Sequence, residues 1–357
     1  MNLSPAIPES SPAQTSKVVT FGIPSYNAEK DLDRCVTSIL EGSDFAEDIE
    51  IIVVDDGSKD GTPALADAWV ERHPGIIRAV HQENGGHGMA VLAGLREASG
   101  TYYKVVDSDD WLDAASLSRM LEILRGFKER GERVDLFIAN YVYEKVCEGK
   151  SHTISYHRVL PEGRVFGWGE VRRFLPSQNL LMHSLCYRTD VLRREALPLP
   201  AHTFYVDNIY AYVPLPRCET IYYADLDLYR YLIGREGQSV NEATMVRRLD
   251  QQFRVTRIMM GAYHLFDDVE EVHLRRYMMG YFTMMMAICS VFTKLSPDPA
   301  KPRELAELWA ELKAFDLRMY HRARFGMIGL GTNIPSPVGR RMTLGLYRLA
   351  GKIVKFN

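Results

Sequence analysis

Between Val18 and Val106 the chain alternates short apolar runs with stretches of helical period, and few folds accept that alternation. Val18–Ile23, Ile49–Val54 and Ile76–Val80 have the continuous apolar character of buried strands, and Tyr102–Val106 supplies a fourth. Between the first two, Leu32, Cys35, Val36, Ile39 and Leu40 recur at i, i+3, i+4, i+7 and i+8, one face of a helix. Thr62 followed by Pro63 starts the next helix, because proline is pre-organised for the first turn. A third helix is expected over His87–Ala98. The pattern predicts an α/β fold with a mostly parallel, Rossmann-like sheet. Ligands in such sheets bind beyond the carboxyl ends of the strands, so four turns become the place to look for chemistry.

Those turns are polar or glycine-rich. They read Pro24-Ser25-Tyr26-Asn27-Ala28-Glu29, then Asp55-Asp56-Gly57-Ser58, then Asn84-Gly85-Gly86-His87-Gly88, and finally Asp107-Ser108-Asp109-Asp110. Any one of them is compatible with an ordinary turn, since Asp and Gly are turn residues. Four at the same edge of one sheet point to a site. In the last, three carboxylates within four residues repel one another unless a cation or water neutralises them. Hard oxygen ligands suit Mg²⁺ or Mn²⁺. The plainer alternative is a solvated turn in which Asp110 or Asp113 caps the following helix.

Farther along, a helix is expected over Asp113–Arg130 and a strand over Asp135–Ala139, followed by an irregular stretch from Tyr141 to Pro200. From Glu242 the character turns helical, over Glu242–Phe266, His273–Thr293, Pro302–Phe315 and Val338–Lys355. This divides the chain into a flexible N-terminal tail (1–16), a sheet domain (17–240) and a C-terminal helical domain (241–357). Net charge is −3, with no basic excess to suggest a nucleic-acid partner. Five scattered cysteines without metal-ligand spacing argue against a disulfide framework or structural zinc. The N-terminus lacks the pattern of a signal peptide. The longest uncharged apolar run, Tyr277–Phe292, falls short of the roughly 20 residues of a spanning helix, and a cytoplasmic location is expected.

FGIPSYNAEK, IIVVDDGSKDGT, the NGGHG turn and VVDSDDWLD, in that order, resemble glycosyltransferase family 2, with its GT-A fold. The likeness continues through Phe204–Asn208 and Tyr229–Ser239, and so covers about two thirds of the chain. It implies a bacterial, non-processive, inverting enzyme using a nucleotide-diphosphate sugar, with UDP-sugar the expected class. Pro24, Tyr26 and Glu29 would then lie along the nucleotide and Asp56 would meet the uracil edge. Asp107 and Asp109 match the DXD motif, the first near the ribose and the second on Mn²⁺ or Mg²⁺. Arg235 and Gln238 fall where family members contact the diphosphate. Asp207 matches the general base, although this chain has Val206-Asp207 where Glu-Asp is usual.

The implied acceptor is a saccharide or lipid-linked glycan of the cell surface. No QxxRW sequence favours a processive synthase, and no GxGxxG follows the first strand as a Rossmann dehydrogenase would need. A non-catalytic nucleotide-sugar or glycan-binding protein on the same fold is the alternative. His87 could approach the diphosphate or simply open its helix, and His183 and His202 read as structural or acceptor-side residues. Trp111 reads as sugar-site lining or packing, the methionines of 278–286 as helical core, and Asn27 and Ser58 as loop braces. From Gly339 onward, Arg340, Arg341, Arg348, Lys352 and Lys355 with interleaved apolar residues make a basic amphipathic segment. It suits either a packed surface helix or peripheral membrane contact, the latter at the inner face of the cell membrane.

Overall fold

A computed structural model of the protein describes residues 17–43, 46–145, 149–175, 178–234, 242–334, 341, 343–345 and 347. The chain divides into two compact units, one reaching Val171 and resuming over Leu180–Ile233, the other comprising Arg172–Asn179 and the residues from Gly234 onward.

The first unit is built on ten strands: β1 (Val19–Ser25), β2 (Ile49–Asp55), β3 (Ile77–His81), β4 (Tyr102–Val105), β5 (Trp111–Leu112), β6 (Leu136–Lys145), β7 (Lys150–Ile154), β8 (Val165–Phe166), β9 (Leu185–Arg188) and β10 (Ile221–Leu232). Their order is β3-β2-β1-β4-β9-β6-β10-β5, with β7 beside β6 and β8 beside β10. The first four strands pair in parallel, as do β6 and β10, whereas β9 runs antiparallel between β4 and β6. Helices α1 (Leu32–Glu41), α2 (Thr62–Arg72), α3 (His87–Glu97), α4 (Ala114–Glu129), α5 (Thr189–Arg194) and α6 (Asp207–Tyr212) complete this unit. This is the mostly parallel α/β architecture that the alternation implied. The face of α1 that faces the core carries Leu32, Cys35, Val36 and Ile39, as the periodicity required. Asp113 caps α4 by accepting the Ser116 N–H at 3.0 Å. The expected strand at Asp135–Ala139 is twice as long, because Tyr141 and Val142 continue its pairing with β10.

The second unit is helical: α7 (Glu242–Arg247), α8 (Leu249–Ala262), α9 (Leu265–Asp268), α10 (Val272–Leu295), α11 (Lys301–Phe315), α12 (Leu317–Phe325) and α13 (Met327–Thr332). α10 lies at its centre and touches α8, α11, α12 and α13. By length and composition α10 could cross a membrane, yet 67% of its most apolar window is buried within the fold. Met278, Met279, Met285 and Met286 are part of this core. α12 and α13 were not anticipated, since each is short and Gly326 separates them. Asp316 starts α12 by accepting the Arg318 and Met319 N–H groups. The basic segment from Gly339 lies almost wholly outside the described residues.

Close packing of α3 on the sheet depends on two glycines around one ring. A Cβ at Gly22 of β1 would come within 2.1 Å of the Tyr103 hydroxyl, and one at Gly94 of α3 within 2.6 Å. That hydroxyl donates to the Val91 carbonyl at 3.1 Å and is fully buried. Gly22→Ala therefore overpacks a filled site, and a loss of about 1–3 kcal/mol is expected. A lower denaturant midpoint at unchanged slope would report it; an unchanged midpoint would mean that Tyr103 can swing aside.

Candidate active site

The first two turns hang on each other. The Asn27 N–H donates to Ser58 Oγ at 2.9 Å, and Asn27 Oδ1 accepts the Lys59 N–H at 2.8 Å. The Ala28 N–H donates to Thr62 Oγ1 at 2.7 Å, and Glu29 Oε2 accepts the Gly61 N–H at 2.7 Å. Asn27 and Ser58 are thus the braces expected of them, and Glu29 shares that work. Pro24 is buried in β1, whereas Tyr26 beyond it is 51% exposed.

Asp56 organises the third turn. Its Oδ1 accepts from Gln82 Nε2 at 2.7 Å and the Gly85 N–H at 2.8 Å, and its Oδ2 accepts the Gly86 N–H at 2.8 Å. Gly86 has φ of 86°, and a Cβ there would meet the backbone of His202 at 2.9 Å. The His202 N–H closes this contact on the Gly85 carbonyl at 2.7 Å. His202 and Tyr205 hold positive φ of 49° and 67°, so the segment entering α6 carries backbone strain beside the site.

α3 begins at His87, whose Nε2 lies 2.7 Å from Asp107 Oδ1. Burial alone would lower the His87 pKa, but Asp107, followed by Asp207 and Asp109, outweighs it and the net shift is upward. Asp107 is correspondingly held below the usual carboxylate range: burial opposes ionisation, and His87 with Lys104 overcomes it. Asp110 differs. It is fully buried, accepts the Tyr229 O–H at 2.7 Å and the Leu232 N–H at 2.9 Å, and is pushed well up by burial and then by Asp109 and Asp107. It fastens the turn to β10 rather than capping α4. The Tyr229 oxygen also accepts the Asp107 N–H at 3.1 Å. Arg34 donates to the Asp109 carbonyl and stacks over Trp111, with Cζ 4.2 Å from the ring centroid.

Asp207 is the first residue of α6, with Val206 at the cap position. Burial raises its pKa, and the neighbouring His87 only partly offsets that. The structure therefore gathers Asp107, Asp109 and Asp207 around His87 at the carboxyl edge of the sheet. Arg235 and Gln238 lie outside the described residues.

Two residues of this centre, Lys104 and Tyr229, have no role assigned from sequence, and a third, His183, reads there as structural or acceptor-side. Lys104 is fully buried in β4, donates to the His183 carbonyl at 2.8 Å, and is pulled down to about 8 by burial. A lone charge inside the apolar run Tyr102–Val106 was its signal. Tyr229 lay within a recognised stretch but carried no assigned role. His183 is stacked on Tyr229 at 4.7 Å and tilted against Tyr231 at 4.4 Å, and burial lowers it to about 4. Its Nδ1 has no hydrogen-bond partner. Ligand atoms of His183, Asp107 and Asp110 come within 4.8 Å of one another.

Residues 20–169 match the family model described as glycosyl transferase family 2. Over these residues the chain is similar to glycosyl transferase family 2. It is 28% identical over 212 residues to EpsH of Bacillus subtilis, covering 55% of this chain and 59% of EpsH. It is 37% identical over 128 residues to glycosyltransferase GlyG of Streptococcus pneumoniae, covering 35% of this chain and 40% of GlyG. The chain thus spans less than two thirds of either relative. The crystal structure of S. aureus TarS 1–349 superposes with a TM-score of 0.65 over 94% of this chain and 92% of that one, at 18% identity. TarS 1–349 in complex with UDP-GlcNAc superposes with a TM-score of 0.64 over 94% of this chain and 92% of that one, at 19% identity. These likenesses establish the GT-A fold.

The neutral, buried His183 gives this centre a pH signature. A histidine held near 4 when folded and near 6.5 when unfolded leaves the unfolded chain binding more protons between those values. Its contribution to stability is present above about 6.5 and is lost as pH falls through 4. His183→Phe should flatten that part of the acid-stability curve, measured by urea unfolding from pH 7 down to 4. A variant with the wild-type pH profile would place the acid sensitivity elsewhere.

Proposed function

We propose that this chain is a metal-dependent, inverting glycosyltransferase. It moves a sugar from a nucleotide-diphosphate donor, of which UDP-sugars are the favoured class, to a saccharide or lipid-linked acceptor in surface glycan synthesis. The observation that carries this reading is His87, 2.7 Å from Asp107 and within electrostatic reach of Asp207, with Asp107 driven down and Asp207 driven up. Two carboxylates with opposed pKa shifts suit opposite halves of one reaction: an anion that binds charge, and a base that takes a proton. The UDP class rests on the family's base-reading position at Asp56 and on the likeness to TarS, which has been crystallised with UDP-GlcNAc.

The donor set fits a hard divalent cation. Asp109 would hold it, with Asp107 toward the ribose, and the neutral His183 offers a ligand atom within 4.8 Å of those of Asp107 and Asp110. Asp110 is the poorer ligand, because both of its oxygens already accept hydrogen bonds. When bound, Mn²⁺ or Mg²⁺ would stabilise negative charge on the departing diphosphate. The remaining work falls to the chain. Asp207 takes the proton of the acceptor hydroxyl as that oxygen bonds to the anomeric carbon. The bond from the anomeric carbon to the diphosphate breaks on the opposite face, and the nucleoside diphosphate leaves with the electron pair. Asp56 presents Oδ2, which holds the Gly86 N–H and can take a second donor from the base edge. Pro24, Tyr26 and Glu29 flank the nucleotide, and the resemblance assigns its phosphates to Arg235 and Gln238, outside the described residues. In this reading the chain works in the cytoplasm at the inner face of the membrane, with residues 241–357 as the helical domain.

Asp207→Asn should leave donor affinity nearly unchanged while transfer falls about 10²–10⁴-fold, the usual contribution of a positioned base. Retention of most turnover would remove Asp207 from the chemistry. The same assay separates this reading from a nucleotide-sugar-binding protein, in which the wild type itself would not turn over. Asp109→Ala should abolish the Mn²⁺ dependence of UDP binding measured by calorimetry; tight UDP binding in EDTA by both proteins would overturn the metal assignment.

A further inference from the structure

We propose that the α12–α13 face of the helical unit docks on a membrane surface rich in anionic lipid. The observation is a convergence of exposed apolar side chains and arginines. Leu317, Phe325, Met327 and Leu330 are exposed by 53%, 54%, 90% and 54%, half of the large apolar side chains so exposed among the described residues. Arg318, His321 and Arg322 line one hollow with Phe266, and the Phe325 ring lies tilted against that of His321 at 5.5 Å. An adjoining hollow of about 190 Å³ brings in Val272, Arg275, Arg276 and Met279.

Charge complementarity selects the occupant. From Leu317 to Asn357 the sequence has eight Lys and Arg residues and no Asp or Glu. Among the described residues no acid lines either hollow, and the acids of the adjoining segments are Asp316, which caps α12, with Asp267, Asp268, Glu270 and Glu271. Asp267 pairs with Arg318, Asp268 accepts the His264 N–H at 2.6 Å, and Glu271 caps α10 by accepting the Leu274 N–H at 2.6 Å. The charged side chains that line the hollows are all arginines: Arg275, Arg276, Arg318 and Arg322. Arginines around a Met, Leu and Phe patch match a bilayer interface, where apolar side chains enter the acyl boundary and the cations meet lipid phosphates. Each basic side chain near such a surface strengthens binding about fivefold at low salt. A soluble phosphate ester would use the arginines but leave Met327 and Leu330 without a purpose.

The proposal stands apart from the transferase reading, and its test needs no sugar donor. The full chain is sedimented at low salt with vesicles of phosphatidylcholine, with and without about one-third phosphatidylglycerol. Three variants accompany the wild type: Arg276→Glu with Arg322→Glu, Met327→Ser with Leu330→Ser, and a charge-matched control, Arg119→Glu with Arg303→Glu. All substituted positions are exposed, and melting curves confirm that each variant folds. The wild type and the control should bind the anionic vesicles only, and both face variants should bind on the order of tenfold more weakly. Equal binding by face variants and wild type would overturn the proposal and move the contact to the basic segment beyond Gly339. Inorganic phosphate releasing the protein more than chloride of equal ionic strength would make the face a site for free phosphate. A wild-type dimer in light scattering that either face variant splits would assign the face to a second copy of this chain.

Discussion

A buried ammonium beside the acidic turn, held by two backbone carbonyls and felt by Asp107, is the constraint around which the sheet unit is arranged. Lys104 has no exposure, and removing a charge from water is costly unless its partners are close and complete. Its partners are carbonyls of the His183–Leu185 stretch, and its field lowers the pKa of Asp107 above it. The other compensating groups come from separate elements: His87 from the start of α3, Arg34 from α1 and the Tyr229 hydroxyl from β10. Four carboxylates can share one sheet edge because the crossover order brings these donors to it. The acidic turn on its own would not hold that shape.

The same arrangement divides the labour among the aspartates. Asp110 is spent on architecture, with both oxygens fixed by β10. Asp107 is kept anionic and Asp207 is made more basic, and His87 stands between them. One imidazole thus senses the charge of both Asp107 and Asp207. Identical side-chain chemistry acquires three different tasks from burial and neighbours alone.

The fold was legible where periodicity is local. The run from Val18 to Val106 announces four strands and their helices, and the polar turns announce the edge at which they meet. The site was legible where acids cluster in sequence, as at Asp107–Asp110. Lys104, Tyr229 and His183 were harder to assign because their roles arise from strands brought together by crossovers, over 79 residues for Lys104 and His183 and 119 for Tyr229 and Asp110. Glu29 and Asp56 look like ligand contacts in sequence, yet the folded chain also draws on them to hold backbone amides in place. Helices α12 and α13 escaped because neither is long enough to show a period.

The lacing of the first two turns bears on how the site comes into being. Asn27, Ala28 and Glu29 have their partners 31 to 34 residues downstream, across the whole of α1 and β2. Neither loop has its final shape until that entire unit has closed, so the nucleotide edge matures in one step with the β1–α1–β2 crossover. During synthesis a chain that has emerged only as far as β2 has the strands but not the edge. The crossover acts as a checkpoint: a ligand that fits the laced loops would trap the closed unit and report the moment at which it forms.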